Sequence, residues 1–416
     1  MVLAACTAAP SATSEPAPVS DTVAESPEGT ALQSVTTANS PDGNRIVSGA
    51  GSMPAEPTSI DLGERPMWVL AVPDRDTVVW VVVGESGSVS AYERSESGLV
   101  ERSVNLEALP AGTPPAAAVG PDGILLLAPP PVASVLTNPI ALSDGGLAFV
   151  ASDGSVVTTG RRGNRTFEVE ALPDARLVAG DGLVAVLTEP TDRYAHGVLG
   201  DTLEAASLTV LDPAGQSIDQ VVGFDSAVIE GLAPMWADTD DDGVQELVVT
   251  LSDAQGGARL AVVSESGVLS AESEPIGQAA RWRHQIAVGP VGPDGETELV
   301  EVVTPHLGGI VTFRRIEGGE LPEMASVAGF TSHMIGSRNL DMAIVGDADG
   351  NGRPELVIPT QDRSELAGIE RTSSGAEVAW SVDLDGNMVS NLAAADVDGR
   401  LVMGLGTEDG RLLVWE

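Results

Sequence analysis

An internal repeat constrains this chain more than any other feature of its sequence. The stretch 237–249 (Ala-Asp-Thr-Asp-Asp-Asp-Gly-Val-Gln-Glu-Leu-Val-Val) runs in parallel with 346–358 (Gly-Asp-Ala-Asp-Gly-Asn-Gly-Arg-Pro-Glu-Leu-Val-Ile). Their first aspartates, Asp238 and Asp347, are 109 positions apart. A worn copy at 293–300 falls between them, so the repeating unit has roughly 50 residues, a period typical of propellers and other repeat folds.

Each unit reads as short apolar strands separated by Asp/Gly turns and polar loops. No such unit can bury both faces of its sheet alone, so the units must pack against one another around an axis. The pattern therefore predicts an all-β fold, a seven-bladed β-propeller over residues 60–416. The predicted blades are 66–110, 114–170, 175–226, 230–277, 283–325, 338–384 and 389–416.

The last predicted blade contains only three strands before the sequence stops. A missing outer strand would leave an open sheet edge, which proteins avoid because it invites pairing with other chains. We therefore expect a segment from the N-terminal side to complete this blade. The two candidates are Arg45–Val47 and Thr58–Leu62.

The first six residues look like the remnant of a bacterial lipoprotein signal. The motif Leu3-Ala4-Ala5-Cys6 is similar to a lipobox, in which the cysteine is lipidated. Only five residues precede Cys6, so either the natural start lies upstream or the resemblance is accidental. Residues 7–59 are rich in Ser, Thr, Ala, Pro and Glu, which predicts a disordered tether. We expect an extracytoplasmic protein held at a bacterial membrane or cell surface only through this lipid anchor.

The charge composition narrows the classes of partner. The chain has 21 cationic residues, all of them arginine, against 61 acidic ones, and its net charge is −40. This balance disfavours nucleic-acid binding, which needs a basic surface, and the lack of lysine excludes Schiff-base and P-loop chemistry. A single cysteine excludes internal disulfides and cysteine-rich zinc sites. We expect a monomer.

The two acidic repeats have the ligand spacing of a calcium loop. Alternate acidic residues point carboxylates at one centre, a glycine at the sixth position permits the turn, and the seventh residue offers its carbonyl oxygen. The alternative is a pair of solvated acidic turns. The predicted Ca²⁺ ligands are Asp238, Asp240, Asp242, the carbonyl of Val244 and Glu246 in the first loop, and Asp347, Asp349, Asn351, the carbonyl of Arg353 and Glu355 in the second.

These loops and their repeat resemble the FG-GAP/VCBS repeats of the integrin α-chain propeller and its bacterial relatives. The resemblance is specific over 220–416, and over 66–220 it rests on the strand rhythm. It implies a seven-bladed propeller with Ca²⁺ in inter-strand loops, usually extracellular and often used to bind glycans or proteins. The degraded loops at Asp294/Glu298 and Asp396/Asp398 lack part of the ligand set, so we expect no tight binding there.

A candidate ligand face lies opposite the calcium loops. The four histidines fall in loops or blade connections that open on that face, and several arginines accompany them. Arginine clamps carboxylates, and histidine can bind a metal or act as a base. Chance placement is the alternative. The candidate residues are Arg281, Arg283, His284, His306, His333 and Arg338, with His196 as the fourth histidine.

These features favour a non-catalytic, calcium-binding module for adhesion, ligand binding or scaffolding, whose partner is an acidic glycan or a protein. One alternative is a metal-dependent glycan-processing enzyme similar to the propeller polysaccharide lyases. Another is a periplasmic assembly scaffold. Convergence of His196, His284, His306 and His333 within a few ångströms would favour the enzyme, and dispersal around the rim would favour a binding surface.

Overall fold

A computed structural model describes residues 32–160, 163–277 and 280–416. The regular elements in these ranges are all β-strands, as predicted, and no helix there has the length and apolar character needed to cross a bilayer. Cys6 and most of the predicted tether, through residue 31, lie outside the described residues.

The strands are numbered β1–β33 in chain order. The N-terminal three are β1 (Gln33–Thr36), β2 (Ile46–Ala50) and β3 (Thr58–Asp61). The next ten are β4 (Pro66–Asp74), β5 (Thr77–Gly84), β6 (Val89–Ser95), β7 (Gly98–Glu101), β8 (Ala116–Gly120), β9 (Gly123–Leu126), β10 (Ile140–Ala141), β11 (Leu147–Val150), β12 (Val156–Thr158) and β13 (Arg165–Phe167). Strands β4–β7 form one antiparallel sheet, β8 and β9 join β1, and β10–β13 form another sheet.

A nine-stranded sheet follows, in which two successive groups of strands are joined edge to edge. Its members are β14 (Val178–Gly180), β15 (Leu183–Thr191), β16 (Glu204–Asp212), β17 (Ser217–Gly223), β18 (Val228–Ile229), β19 (Met235–Ala237), β20 (Glu246–Asp253), β21 (Gly257–Val263) and β22 (Leu269–Glu272). The short strand β18 links β16 of the first group to β20 of the second.

The remaining strands form one four-stranded sheet and the greater part of a second nine-stranded one. The four-stranded sheet is β23 (Arg283–Gly289), β24 (Glu298–Val303), β25 (Ile310–Arg314) and β26 (Glu323–Ala328). The nine-stranded sheet adds β2 and β3 to β27 (Ile344–Asp347), β28 (Glu355–Pro359), β29 (Glu365–Thr372), β30 (Gly375–Asp383), β31 (Ala393–Val397), β32 (Arg400–Gly406) and β33 (Arg411–Trp415).

Successive groups of antiparallel strands are the arrangement expected of blades, but the count of seven is not confirmed. The predicted second blade, 114–170, is divided between two separate sheets, β1-β8-β9 and β10–β13. The sequence obscures this division because β1, which completes the first of these sheets, comes from about 80 residues upstream of β8.

The final blade is closed by the N-terminal side, as predicted. Strand β3 pairs antiparallel with β33, with Thr58 opposite Val414 and Asp61 opposite Arg411. Of the two candidate segments, Thr58–Leu62 is therefore the one that supplies the outer strand. This pairing joins a strand from the N-terminal part of the chain to the last strand and covers the edge of β33.

The prediction of a disordered tether is wrong from residue 33 onward. This segment contains few apolar residues, but its backbone and polar groups pair with distant parts of the chain. Besides β1 and β3, strand β2 lies parallel to both β27 and β32. Between β1 and β2, the Asn39 side chain contacts the backbone at Leu392 and Ala394, and the Asn44 side chain contacts that at Val288. The segment therefore fills the space between the sheets.

The apolar core lies between neighbouring sheets rather than in one centre. Strand β5 (Thr-Val-Val-Trp-Val-Val-Val-Gly) is buried along nearly its whole length, because both faces of its sheet meet other sheets. Outer strands differ: β17 is exposed at most positions. Trp80 is fully buried in a cluster with Val69, Val402 and Leu412.

Candidate functional site

The first acidic loop connects β19 to β20. Oxygen atoms of Asp238, Asp240 and Glu246 all lie within 4.8 Å of one another. The Gly243 amide donates to Asp238 Oδ2 at 3.0 Å, and the Thr239 amide donates to Glu246 Oε2 at 2.8 Å. One oxygen of the buried Glu246 carboxylate thus holds the loop backbone, which leaves the other for a ligand.

The second acidic loop connects β27 to β28 and repeats this geometry. Oxygen atoms of Asp347, Asp349 and Glu355 again lie within 4.8 Å of one another. The Gly352 amide donates to Asp347 Oδ2 at 3.1 Å, and the Ala348 amide donates to Glu355 Oε2 at 2.8 Å. In both loops the carboxylate of the first residue accepts a hydrogen bond from the backbone amide of the sixth residue. The carboxylate of the ninth residue accepts one from the backbone amide of the second residue.

The glycine at the sixth position has the role that the spacing predicts. Gly243 and Gly352 both have φ +88°, a conformation that other residues rarely adopt. Their amides face inward to the first aspartate of each loop, which draws the carboxylates of the loop toward one centre.

The second loop contains an acceptor without a donor. Asp347 Oδ1 is buried and accepts no hydrogen bond within the described residues. Burial, together with Asp349 and Asp347, raises the pKa of Glu355 to about 8. Clustered carboxylates of this kind are costly unless a cation neutralises them, and an all-oxygen donor set suits a hard ion such as Ca²⁺.

The other predicted ligands have different positions. Asp242 lies outside the first three-carboxylate group, and its Oδ1 accepts the Val244 amide at 2.8 Å. Asn351 Oδ1 accepts the Arg353 amide at 2.8 Å in the same way. The side chain of the fifth residue in each loop therefore fixes the turn by accepting a hydrogen bond from the backbone amide of the seventh residue. Ligation through the carbonyls of Val244 and Arg353 stays a prediction.

The degraded loops use their carboxylates for other contacts. Glu298, which corresponds to the ninth position, is buried and accepts from Arg315 at 2.7 Å and from Arg371 at 3.2 Å. Asp396 Oδ1 caps the Gly399 amide at 2.8 Å. Both carboxylates are thus engaged within the chain, and the expectation that neither loop holds a cation tightly stays a prediction.

On the ends of the strands opposite these loops, three histidines surround Trp282. The ring centroids of His284, His306 and His333 lie 4.9, 6.1 and 5.2 Å from that of the indole. His284 is the second residue of β23, and the other two come from the loops that follow β24 and β26. The structure therefore brings together three of the histidines that the sequence selected.

Hydrogen bonds determine the state of these imidazoles. His333 Nε2 lies 2.6 Å from the carbonyl oxygen of Ser337, which can only accept, so Nε2 carries the proton. His333 Nδ1 must then accept from His306 Nε2, 2.6 Å away. Burial lowers the pKa of both rings to about 4, and it lowers that of His284 well below its usual range. At neutral pH the cluster is uncharged and internally bonded.

His196 belongs to a neighbouring buried group that the sequence did not indicate. Its Nδ1 lies 2.6 Å from Glu230 Oε1, and the other Glu230 oxygen accepts from Ser252. Ala205 pairs antiparallel with Ile229, so Glu204 stands directly opposite Glu230 on the next strand. Burial, then Glu230, raises the pKa of Glu204 to about 9. A glutamate in an apolar strand is the only sequence signal for such a pair.

The arginines of the predicted ligand face are mostly committed to internal ion pairs. Arg283 is buried against Glu301 at 2.8 Å. Arg338 pairs with Asp174 at 2.8 Å and with Asp201 at 2.7 Å. Arg281 is partly exposed, and no ion pair is described for it. Arg283 and Arg338 thus already pair with carboxylates of this chain, and the idea that the three arginines jointly clamp an anionic ligand stays a prediction.

The space between the sheets is nearly filled. A cavity of about 40 Å³ is lined by residues of the N-terminal segment, including Arg45, and by Arg176, Trp282 and His284. A water molecule needs at least about 10–15 Å³ on this measure, whereas small-molecule pockets typically have about 300–1,000 Å³. The cavity has room for a few waters and is too small for a sugar ring.

Comparisons with known proteins bear on the fold. No protein-family model matches the chain, and no curated protein matches its sequence. Quinohemoprotein alcohol dehydrogenase from Comamonas testosteroni is similar in structure, with a TM-score of 0.52 at 12% identity over 92% of this chain and 80% of that one. This neighbour is a β-propeller protein, and together with the sheet arrangement it confirms an all-β propeller fold.

Two further solved structures align at lower scores. BamB from Moraxella catarrhalis has a TM-score of 0.49 at 12% identity, over 87% of this chain and 99% of that one. A chain of the mitotic checkpoint complex has a TM-score of 0.43 at 14% identity, over 89% of this chain and 94% of that one. Similarities at these identities concern architecture and carry no function to this chain.

Proposed function

We propose that this chain is an exported β-propeller of the FG-GAP/VCBS type that binds Ca²⁺ and serves as a non-catalytic binding or scaffold module. The observation that carries the proposal is the duplicated geometry of two loops 109 positions apart. In each loop three carboxylates converge within 4.8 Å, and the backbone amides that fix them come from equivalent positions. Ordinary acidic turns have no reason to share this arrangement.

Calcium titration of the full chain tests this proposal. Two sites should be measured by calorimetry in the wild-type protein and none in a double variant, Asp240→Asn with Asp349→Asn. Extracellular Ca²⁺ modules have dissociation constants of about 10⁻⁴–10⁻³ M, so millimolar titrant is needed. Asp294→Asn, in a degraded loop, is the matched control and should keep both sites. Equal heats for the wild type and the double variant would overturn the proposal.

We also propose that Cys6 is lipidated and anchors the protein at the cell surface. The support is the lipobox-like sequence that ends at Cys6, followed by a stretch rich in Ser, Thr, Pro and Ala. With a secretory signal supplied ahead of Met1, the wild-type protein should sediment with membranes, because multi-acyl anchors bind bilayers stably. Cys6→Ser should be soluble after export. A Cys6→Ser variant that stays in the membrane fraction would contradict the anchor.

The face that carries the histidines fits a protein partner better than an acidic glycan. Leu307 and Ile335 are 65% and 72% exposed; Leu307 directly follows His306, and Ile335 lies two positions after His333. Contiguous exposed apolar surface is characteristic of protein interaction sites, and these two side chains would contribute to such a surface. Of the arginines proposed to hold a carboxylate, only Arg281 is not already paired.

Site-specific photo-crosslinking in producing cells distinguishes these partners. A crosslinker at Ile335 should give one defined protein adduct, and the same group at exposed Val221, on β17, should not. Binding of a polyuronate that Arg281→Ala abolishes would instead favour the glycan. A glycan-processing activity is the remaining alternative. It rests on the convergence of His284, His306 and His333 around Trp282, but the cavity that Trp282 and His284 line is too small for a sugar.

A further inference from the structure

The second acidic loop has a neighbour that the first lacks. Residues 45–53, called the strap below, run between the last two groups of strands. Within the strap, β2 pairs parallel with β27, with Ala50 opposite Asp347, and Ala50 also lies opposite Arg400 of β32. The Ala50 amide donates to the carbonyl of Gly399 at 2.9 Å. The strap thus joins the strand that enters the loop to the blade that closes the ring.

The strap binds the backbone of the first two loop residues. The Gly51 amide donates to the Asp347 carbonyl at 2.7 Å, and the Met53 amide donates to the Ala348 carbonyl at 2.9 Å. Asp347 and Ala348 are also held from the other side. The Asp347 carboxylate belongs to the three-carboxylate group, and the Ala348 amide donates to Glu355 Oε2. The same two residues therefore face the proposed cation with one side and the strap with the other.

This contact requires the two backbones to approach closely. A Cβ atom on Gly51 would lie 2.2 Å from the Ala348 carbonyl oxygen. A Cβ on Gly350 would lie 2.8 Å from the Gly51 carbonyl oxygen. Glycine at both positions removes these clashes, so a small shift of the loop is transmitted directly to the strap.

The first loop provides an internal comparison. The N-terminal segment reaches its entering strand at Trp236, whose amide donates to the Asp42 carbonyl at 3.0 Å, ahead of the loop itself. Asp241 of the loop instead accepts from Thr297 of the next blade at 2.7 Å. A cation in the first loop has no comparable route to the strap.

We propose that Ca²⁺ in the second loop locks the strap against the propeller. The proposal rests on calcium binding by that loop, as proposed above. Asp347, Asp349 and Glu355 repel one another without a cation, and the two carbonyls that hold Gly51 and Met53 belong to that loop. Because strap release and loop disorder are one event, calcium should suppress local opening of the strap.

Hydrogen exchange of the full chain measures this coupling. If the strap opens only when the second loop is empty, protection of the Gly51 and Met53 amides scales as 1 + [Ca²⁺]/Kd. A tenfold rise in free Ca²⁺ above Kd should then slow their exchange about tenfold. Asp349→Asn should remove this dependence, and Asp240→Asn, in the first loop, should keep it.

Reciprocity supplies a second test that leaves the second loop itself unaltered. If calcium favours the docked strap, a strap that docks poorly must weaken calcium binding by the same factor. In an Asp240→Asn background, which isolates the second loop, Gly51→Ala should raise the Ca²⁺ dissociation constant about tenfold or more. Gly223→Ala on β17, where a Cβ meets open space, is the matched control and should leave it unchanged.

The outcomes separate the two proposals. The coupling alone would be overturned if the second loop binds calcium but calcium does not change hydrogen exchange in the strap, and if Gly51→Ala binds calcium as tightly as the control. No calcium binding by either loop would overturn the proposed function and the coupling with it. The coupling would also be refuted if calcium still protects the strap in Asp349→Asn but no longer does so in Asp240→Asn. That result would assign the effect to the first loop.

Discussion

Arg45 and Asp341, 296 positions apart in the chain, form a buried ion pair with Nη2 and Oδ1 2.9 Å apart. Asp341 also accepts from Arg176 at 2.5 Å and from Thr37 at 2.6 Å. One fully buried carboxylate thereby fixes the N-terminal segment to two different blades. This polar junction acts together with the core contacts of Val35 and Met53 to hold the segment between the sheets.

Removal of the Asp341 carboxylate should destabilise the protein strongly. Asp341→Ala leaves two buried guanidinium groups without a counter-charge, and breaking a buried pair in this way typically costs about 3–5 kcal/mol. Asp74→Ala, which breaks the more exposed pair with Arg102, should cost about 0–1 kcal/mol. Urea unfolding of both variants measures the difference. Equal, small losses would show that Asp341 is not the main attachment of the segment.

The same carboxylate predicts a loss of stability in acid. Burial alone would raise the pKa of Asp341, but Arg176 and Arg45 outweigh it and hold the pKa well below its usual range. The stabilisation is therefore complete above the unfolded-state pKa of about 3.9 and is lost as pH falls below that value. Unfolding curves between pH 5 and pH 2 should show this decline for the wild type and much less of it for Asp341→Asn.

Calcium should stabilise the fold through both intact loops, but unequally. The first loop has four acidic residues at its predicted ligand positions and the second has three, because Asn351 replaces an aspartate. At about a hundredfold above Kd, each site would add about 2.7 kcal/mol. Asp240→Ala should therefore remove more of the calcium-dependent rise in melting temperature than Asp349→Ala. A melting temperature indifferent to both chelator and millimolar Ca²⁺ would reduce both loops to ordinary acidic turns.

The histidine cluster should make the fold sensitive to mild acid. Since burial lowers the pKa of His333 to about 4, the unfolded chain binds its proton first, near pH 6.5. Stability from this group is therefore full above about pH 6.5 and falls toward pH 4, by at most about 1.4 kcal/mol per pH unit. His333→Gln should be less stable at pH 7.5 but lose less between pH 6.5 and 4.5. Parallel pH profiles for the two proteins would contradict this.

Glu204 should give stability the opposite dependence on pH from that of His333. Its pKa is raised to about 9 by burial and by Glu230, so between about pH 4.5 and 9 the folded chain holds a proton that the unfolded chain releases. Stability should decline as pH rises through this window. Glu204→Gln, which cannot ionise, should match the wild type near pH 5 and exceed it by more than about 1 kcal/mol at pH 8. A variant less stable than the wild type at pH 8 would show that the carboxyl group is ionised and paired.

The features that the sequence predicted well are local in the chain. The ligand spacing of the acidic loops specifies which carboxylates converge, and Gly243 and Gly352 have the positive φ that the spacing requires. Alternation of apolar strands and turns predicted the all-β propeller. The outer strand at Thr58–Leu62 could be predicted because the last repeat lacks one strand in the sequence.

What the sequence did not predict depends on contacts between distant residues. The segment around Asn39 and Arg45 reads as a linker because its partners, such as Leu392 and Asp341, are some 300 or more positions away. The cross-strand pair of Glu204 and Glu230 exists only once β16 and β18 are aligned. His333 lies in a loop, which suggests exposure, yet it is buried because neighbouring loops pack over Trp282.

The position of the strap between the first and last strands has a consequence for how the chain reaches its native state. Among the described residues, strands β2 and β3 pair with strands that begin at residue 344 or later, so about four fifths of the chain must be present before either of them can dock. Closing so long a loop is slow, because its entropy is lost before any contact rewards it. We expect an intermediate in which the middle blades are formed while the ring is still open. Until residue 415 has emerged, the edge of the last sheet stays exposed to chaperones and proteases.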